Sequence, residues 1–319
     1  MIVIKKIFKL SFIKDLFKSA LLRFPKLVFN SFLDSINFIY FEKSGYRVFN
    51  YRKHNQYKIL EDCHAIEKSL ISQNFNKERG KNKIIFINKL LESNKDLPYS
   101  KENFFYQYAS DIVEDWNKRY YENNTKFVYK SISKKFKNNN HDLNFKKFCK
   151  FVKYRNSVRS YESTIVPTEI IEKLIKISQF APSQCNRQSV KIHVFQNYDL
   201  IQKLLKIQSG CETFRKDVHN LAVLTSDLSS WDGSNERNQP YIDGGIFLMM
   251  FLLSLESFGL ASCSLNLALN FNKSTFFKNT ADIPSNETLI SAVSFGFPKE
   301  ISYICSSRRV PIKNILKFH

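Results

Sequence analysis

The chain has 319 residues and a formal net charge of +20 at pH 7, and 43% of its residues are hydrophobic. This length and composition favour one large or two smaller packed domains and exclude a wholly disordered chain. Its six cysteines are widely spaced without a C-x-x-C pair, which excludes a small disulfide scaffold and a zinc-ribbon pattern. We therefore expect reduced thiols in a cytoplasmic protein without a metal site.

The basic charge is concentrated at the N-terminal end. Residues 1–150 carry 30 Lys and Arg against 15 Asp and Glu, a net charge of +15, whereas residues 151–319 carry 19 against 14, a net charge of +5. Residues 1–24 interleave basic and apolar side chains, which is typical of an amphipathic helix. Such a helix packs on its own domain or lies on the inner face of a membrane, and both interpretations stay open. A secretory signal and a membrane span are excluded, because no uninterrupted apolar run of suitable length exists.

The first half of the chain is predicted to be mostly helical. Lys58–Gln73 and Lys83–Leu91 carry apolar residues at intervals of three and four. Lys134–Lys147 is polar and rich in Asn and Lys, which is typical of a surface connection. We therefore predict a basic, mostly helical region over residues 1–145 and a second domain over residues 146–319.

The second domain is predicted to alternate helices and strands. One helix begins near Thr168, which can cap it, and ends before Pro182. The other predicted elements are a strand at Val190–Phe195, a helix at Leu200–Ile207, a buried strand at Leu221–Thr225, a long apolar helix at Tyr241–Phe258 and a strand at Leu289–Phe297. This pattern predicts an α+β fold in which helices cover both faces of a sheet.

Two polar motifs at the start of the second domain suggest a ligand site. Arg155, Ser157 and Arg159 alternate along the chain, so an extended segment aims all three side chains to one side. Arginine binds phosphate with a planar fork of donors, so the three predict an anion site. The turn Pro182–Gln188 supplies amide and hydroxyl groups that can bond the edge of a planar ring.

In this order the two motifs resemble the opening of the nitroreductase family, whose members are FMN-dependent oxidoreductases. The resemblance continues at residues 236–245, 259–266 and 307–311, and so covers about half of the chain. It implies a nitroreductase-like fold, a homodimer, bound FMN, and NAD(P)H with a small electron acceptor as reactants. Because the flavin performs the redox step, no catalytic side chain is implied.

The resemblance also implies three groups of cofactor-binding residues. The group for the FMN phosphate and ribityl chain is Arg155, Ser157, Arg159, Arg308 and Arg309. The group that contacts the flavin, in this family often across a dimer interface, is Pro182, Ser183, Gln184, Asn186 and Gln188. The group whose backbone faces the isoalloxazine ring is Ser264, Leu265 and Asn266.

A second resemblance lies in the N-terminal half. Cys63–Leu70 is similar to a His-x-Ile-Glu-Lys-Gly-Leu motif of N-terminally extended nitroreductase-like proteins associated with bacterial surface-polysaccharide gene clusters, with Ser69 in place of Gly. His64, Glu67 and Lys68 could serve acid–base chemistry. We favour the alternative, an ion pair on the surface of a helix.

These patterns predict an FMN-dependent oxidoreductase that transfers hydride from NAD(P)H to a small acceptor, in a surface-polysaccharide context. The alternative is a membrane-surface accessory protein with a degenerate or structural flavin site, for which residues 1–24 are the motive. Nucleic-acid binding is disfavoured, because no recognised motif accompanies the basic charge and Lys far outnumbers Arg in the basic half.

Overall fold

The computed structural model describes residues 28–42, 51–71, 78, 80–93, 103–122, 145–305 and 307–319. The basic segment at residues 1–24 lies outside the described residues. Residues 134–144, which make up most of the predicted surface connection, also lie outside them. The domain boundary near residue 145 therefore stays a prediction, although a helix begins at Phe145.

The described N-terminal region is helical, as predicted. A helical stretch over residues 28–41 precedes three helices. Ile66, Ile87, Ile112 and Trp116 are buried between these three helices and form their common core. The three helices are α1 (Tyr51–Leu70), α2 (Lys81–Ser93) and α3 (Phe104–Glu122).

The rest of the chain alternates helices and strands. In chain order its elements are α4 (Phe145–Tyr154), α5 (Thr168–Ser178), β1 (Val190–Phe195), α6 (Tyr198–Gln208), β2 (Asn220–Asp227), α7 (Gln239–Ser257), β3 (Ala261–Asn266), α8 (Phe271–Thr280) and β4 (Glu287–Gly296). The strands form one antiparallel sheet in the order β1-β2-β4-β3, so β1 and β3 are its edges.

Helices cover both faces of this sheet. Every residue of β2 is buried, and its side chains alternate between the two faces. Leu221 and Val223 lie in the core that includes α6 and α8, whereas Ala222 and Leu224 lie in the core that includes α5 and α7. The predicted α+β fold with a sandwiched sheet is confirmed.

Helix ends and short elements were predicted less well than the fold. Thr168 does not cap α5: Pro167 holds the cap position, Thr168 is the first helical residue, and no side chain makes a capping hydrogen bond. Helix α6 begins two residues before the predicted start, because the Asn197 side chain caps it by accepting from the Leu200 amide. Strand β3 and helix α8 were not predicted.

Helix α7 lies close against the sheet. A Cβ atom on Gly244 would lie 2.8 Å from the side chain of Ile290, so only glycine allows this approach of helix and strand. Phe251 and Leu255 of the same helix are buried in the core. Within the described part of the chain, no helix is long and apolar enough to cross a membrane.

Candidate functional site

The first basic motif runs along the open edge of the sheet. Ser157 forms a single parallel β-bridge with Ser262 of β3, and the Val158 amide donates to the Ser262 carbonyl at 3.0 Å. The segment is therefore extended, as predicted, and Arg155 and Arg159 flank the bridging serine. Arg155 is half-buried and Arg159 is exposed.

The exposed Arg159 side chain lies near one thiol and one aromatic ring. Its Nη1 atom lies 3.7 Å from Cys305 Sγ, and its guanidinium carbon lies 6.0 Å from the centre of the Phe214 ring. Burial raises the pKa of the Cys263 thiol on β3, and the positive charge of Arg159 opposes this shift. The motif, β3 and the C-terminal segment at Cys305 therefore meet at one place.

Neither arginine of this motif is neutralised by a salt bridge with any described carboxylate. Glu256 lies within range of Arg155: burial raises the pKa of its carboxyl, and Arg155 opposes the shift. Two guanidinium groups that form no salt bridge and flank a serine hydroxyl are suited to bind an anion.

Ser264, Leu265 and Asn266 follow on the same edge strand. The Leu265 side chain is buried in the core, so only its backbone can face a ligand. The side chains of Ser264 and Asn266 are exposed. Gln208 Nε2 donates to the Asn266 carbonyl at 3.1 Å and fixes the end of the strand, a contact that the sequence did not indicate.

The turn before β1 has an unusual backbone. Cys185, Asn186 and Gln188 have φ angles of 51°, 56° and 52°, in the left-handed region that residues other than glycine rarely adopt. Each such residue costs roughly 1–3 kcal/mol, and such costs cluster at functional sites. The strained backbone makes this turn a candidate functional segment, and its contact with a flavin stays a prediction.

Hydrogen bonds from distant segments hold this turn. The Gln184 amide donates to Asp243 Oδ2 at 2.9 Å, and Gln184 Nε2 donates to Glu236 Oε1 at 3.0 Å. The Gln188 amide donates to Ser183 Oγ at 3.1 Å. The Gln188 Nε2 atom donates to Asn186 Oδ1 at 3.2 Å. The side chains of Ser183, Gln184, Asn186 and Gln188 are therefore bonded within the protein, and their contacts with a flavin stay predictions.

A buried arginine joins the turn to the N-terminal helices. Arg187 is 3% exposed, and its Nη1 atom donates to Glu236 Oε2 at 2.7 Å. Its Nη2 atom lies 3.6 Å from Glu61 Oε1 on α1. Tyr57 of α1 donates to Asp227 Oδ2 at 2.9 Å on the same side of the molecule. These contacts were missed, because nothing in the sequence pairs α1 with a turn over a hundred residues away.

The C-terminal arginines are not brought to the first basic motif by any described contact. Arg308 and Arg309 are exposed, and Arg309 donates to the Ser307 carbonyl of its own segment. The described contact between the C-terminal segment and the motif is the one from Arg159 to Cys305. A role for Arg308 and Arg309 in phosphate binding stays a prediction.

The two predicted halves of the site lie at opposite edges of the sheet. The basic motif borders edge strand β3, and the turn leads directly into edge strand β1. Three strand spacings separate the edges, a distance of about 14 Å. Among the described residues of one chain, no contact joins the two halves of the site.

His64 and Glu67 form the predicted pair on α1. His64 Nδ1 lies 3.0 Å from Glu67 Oε2, at the spacing of neighbouring turns on one helix face. Burial raises the pKa of the nearby Tyr108 phenol, and the Glu67 carboxylate adds to this shift. Lys68 is exposed, and its ammonium group forms no salt bridge with a described carboxylate. The geometry is that of the ion pair favoured above.

The family model described as the nitroreductase family matches residues 152–237. This segment contains the first basic motif, the strained turn, β1 and β2. A curated relative from Archaeoglobus fulgidus, provisionally named NADH dehydrogenase/NAD(P)H nitroreductase, is 24% identical over 152 residues, which is 47% of this chain and 85% of the relative.

Solved structures of similar proteins cover about half of the chain. An FMN-dependent nitroreductase from Clostridium difficile R20291 is 20% identical, with a TM-score of 0.45 over 53% of this chain and 96% of that one. A nitroreductase from Desulfovibrio desulfuricans solved in complex with FMN is 17% identical, with a TM-score of 0.46 over 54% and 95%. Residues 152–237 match the nitroreductase-family model, and the fold is nitroreductase-like.

Proposed function

We propose that the chain binds FMN and transfers hydride from NAD(P)H to a small electron acceptor. The observation that carries this proposal is the pair of arginines beside β3, neither of which forms a salt bridge with a described carboxylate. It lies within the segment that matches the nitroreductase family. A flavin-dependent enzyme requires no nucleophilic side chain. This agrees with a site that consists of hydrogen-bond donors and backbone groups.

The donor set fits the phosphate end of FMN. Arg155 and Arg159 can bind the phosphate dianion with charge-assisted hydrogen bonds, and the Ser157 hydroxyl can add a neutral one. The edge of β3 beyond the bridge at Ser262 leaves backbone groups unpaired by a further strand. Bound FMN would supply the redox chemistry, and the protein would hold its phosphate, orient its ring and limit access to it.

We propose that the site is completed by a second copy of the chain. The two halves of the site border opposite edges of the sheet, so a flavin that touches both needs the turn of a partner. Ile242, Ile246 and Met249 are 51%, 40% and 43% exposed and form a stripe along α7. The C-terminal segment adds further exposed apolar side chains, namely Ile301, Tyr303, Ile312, Ile315 and Phe318.

Two finer points rest on the sequence. The surface-polysaccharide context depends on the motif at Cys63–Leu70, and the membrane-surface alternative depends on residues 1–24. Liposome flotation of the full chain and of a chain that lacks residues 1–24 tests the second point. Equal flotation of the two proteins would remove the reason for the alternative.

The proposed function is tested by the absorbance spectrum of the purified protein after incubation with FMN and removal of the excess. We expect retained flavin absorbance and oxidation of NADH or NADPH in the presence of an acceptor. Riboflavin is the control, because it lacks the phosphate and should be retained far less well. A protein that retains no FMN and oxidises neither nucleotide would contradict the proposal.

A further inference from the structure

The helix over residues 28–41 has an exposed apolar face. Its large apolar side chains recur mostly at intervals of three and four, which places them on one side of a helix. Each of them is between 46% and 61% exposed. Together they extend about 17 Å along the helix axis. This surface, the N-terminal stripe, consists of Val28, Phe29, Phe32, Ile36 and Ile39.

The other sides of this helix are less exposed and are attached to the rest of the chain. Leu33 and Phe38 are half-buried. Directly after the helix, Glu42 Oε2 accepts a hydrogen bond at 2.6 Å from the amide of Gly233, which lies between β2 and α7. The helix is therefore fixed to the protein by one side, and the N-terminal stripe faces outward.

The sequence next to the N-terminal stripe is basic. Residues 1–27 contain seven Lys and Arg against one Asp, a net charge of +6, and the whole chain has a net charge of +20. Asp34, the acidic residue within the helix, stands two positions from Phe32 and from Ile36, so its carboxylate lies on a different side of the helix. Aromatic and aliphatic side chains on one face, joined to a basic segment, are typical of a helix that lies on a membrane surface.

Charge favours a membrane over a second copy of the chain as the occupant of the stripe. Residue 27 is bonded directly to the first residue of the stripe. A symmetric pair of chains that met through the stripe would therefore bring two segments of the same positive charge together, and they would repel each other. An anionic lipid surface attracts the same segment instead.

We propose that the N-terminal stripe binds the surface of a membrane that contains anionic lipid. Its apolar side chains enter the boundary between headgroups and acyl chains, and the neighbouring basic residues are attracted by the negative headgroups. This inference goes beyond the proposed function, because it requires neither flavin nor hydride transfer. It also gives the membrane-surface alternative a described surface, which residues 1–24 do not supply.

The test is flotation of the full-length protein with vesicles of phosphatidylcholine alone and with vesicles of equal parts phosphatidylcholine and phosphatidylglycerol. We expect the protein to float with the anionic vesicles and far less with the neutral ones. Phe32→Ser should lower the ratio of bound to free protein about tenfold, the loss of one buried phenylalanine side chain. Phe32→Trp should retain binding, because tryptophan is favoured at the boundary between membrane and water.

The matched control is Phe276→Ser, which removes a phenylalanine of 62% exposure from α8 and should leave flotation unchanged. Thermal unfolding of each variant verifies that the fold is intact. Absent flotation, equal flotation with both lipid compositions, or equal flotation of Phe32→Ser and Phe276→Ser would overturn the inference.

Two further measurements separate this inference from the other proposals. Sedimentation without vesicles tests a second copy as the occupant: a smaller oligomer in Phe32→Ser alone would overturn the membrane contact. FMN retention is measured in the same samples. Retained FMN without flotation refutes only this inference, and flotation without retained FMN refutes only the proposed function.

Discussion

At the scale of single residues, the cofactor proposal depends on Arg155 and Arg159. Both flank the serine that bridges to β3, and neither forms a salt bridge with a described carboxylate. Replacing Arg159 by alanine should therefore remove a ligand contact without leaving a buried carboxylate unpaired. The substitution should affect binding far more than stability.

We expect Arg159→Ala to weaken FMN binding by about tenfold to a hundredfold, since a hydrogen bond to a charged group contributes about 1.5–3 kcal/mol. Flavin fluorescence titration measures this change. Riboflavin binding should be the same in the variant and in the unchanged protein, because the lost contact is with the phosphate. Lys206→Ala, on the exposed side of α6, is the matched control. Equal FMN affinity in Arg159→Ala and the control would disprove a phosphate contact at Arg159.

The extended course of this motif could be predicted from the sequence, but the residues that it contacts could not. Alternation of Arg155, Ser157 and Arg159 already predicted an extended segment with three donors on one side. The bridge to Ser262 and the contact with Cys305 join segments more than a hundred residues apart. Such pairings follow from how strands are ordered in the sheet, which local spacing does not encode.

At the scale of elements, helix α1 contacts and stabilises the strained turn. Arg187 is buried beneath the turn and stands between Glu236, which it contacts at 2.7 Å, and Glu61 of α1, at 3.6 Å. The Arg187 guanidinium also lies 5.4 Å from the centre of the Trp231 ring. A buried charge that loses its main partner is strongly destabilising.

We predict that Glu236→Gln destabilises the protein by about 3 kcal/mol and Glu61→Gln by about 1 kcal/mol. The order follows from distance, because only Glu236 accepts a hydrogen bond from Arg187. Urea unfolding measures both values, and Glu172→Gln on the exposed side of α5 is the control. If Glu61→Gln proved as stable as the control, the contact between α1 and Arg187 would not stabilise the turn.

Elements with a regular hydrophobic pattern were predicted well. Strand β1 was predicted with its observed bounds, because Val190–Phe195 alternates polar and apolar residues. Strand β3 was missed, since Ala261–Asn266 has one large apolar residue, Leu265, among small and polar ones. It is a strand because it pairs with β4. Helix α8 was missed because Phe271–Thr280 has no apolar stripe of helical spacing.

At the scale of the whole molecule, the long helix α7 has two different faces. One face lies so close to the sheet that Gly244 cannot carry a side chain. The other presents Ile242, Ile246 and Met249 to the surroundings. A stripe of exposed apolar residues on a central helix is typical of a surface that another subunit covers.

If the proposed dimer forms through this stripe, we expect Ile246→Lys to shift the protein from dimer to monomer and to lower FMN retention at the same time, because both would depend on the same contact. Analytical ultracentrifugation measures the first change, and flavin absorbance of the sedimenting species measures the second. Ile85→Lys is the matched control, an exposed isoleucine on α2 at 46% exposure. A variant that stays dimeric, or a monomer that retains FMN fully, would contradict the shared site.

The placement of the two half-sites at opposite edges of one sheet has a consequence for how the cofactor would be lost. If each flavin is held by two chains, its affinity is tied to protein concentration by mass action. Dilution would then release the yellow flavin from the protein without any change in buffer, temperature or sequence. The apparent affinity for FMN would be a property of the pair of chains, and a value obtained at one protein concentration would not apply at another.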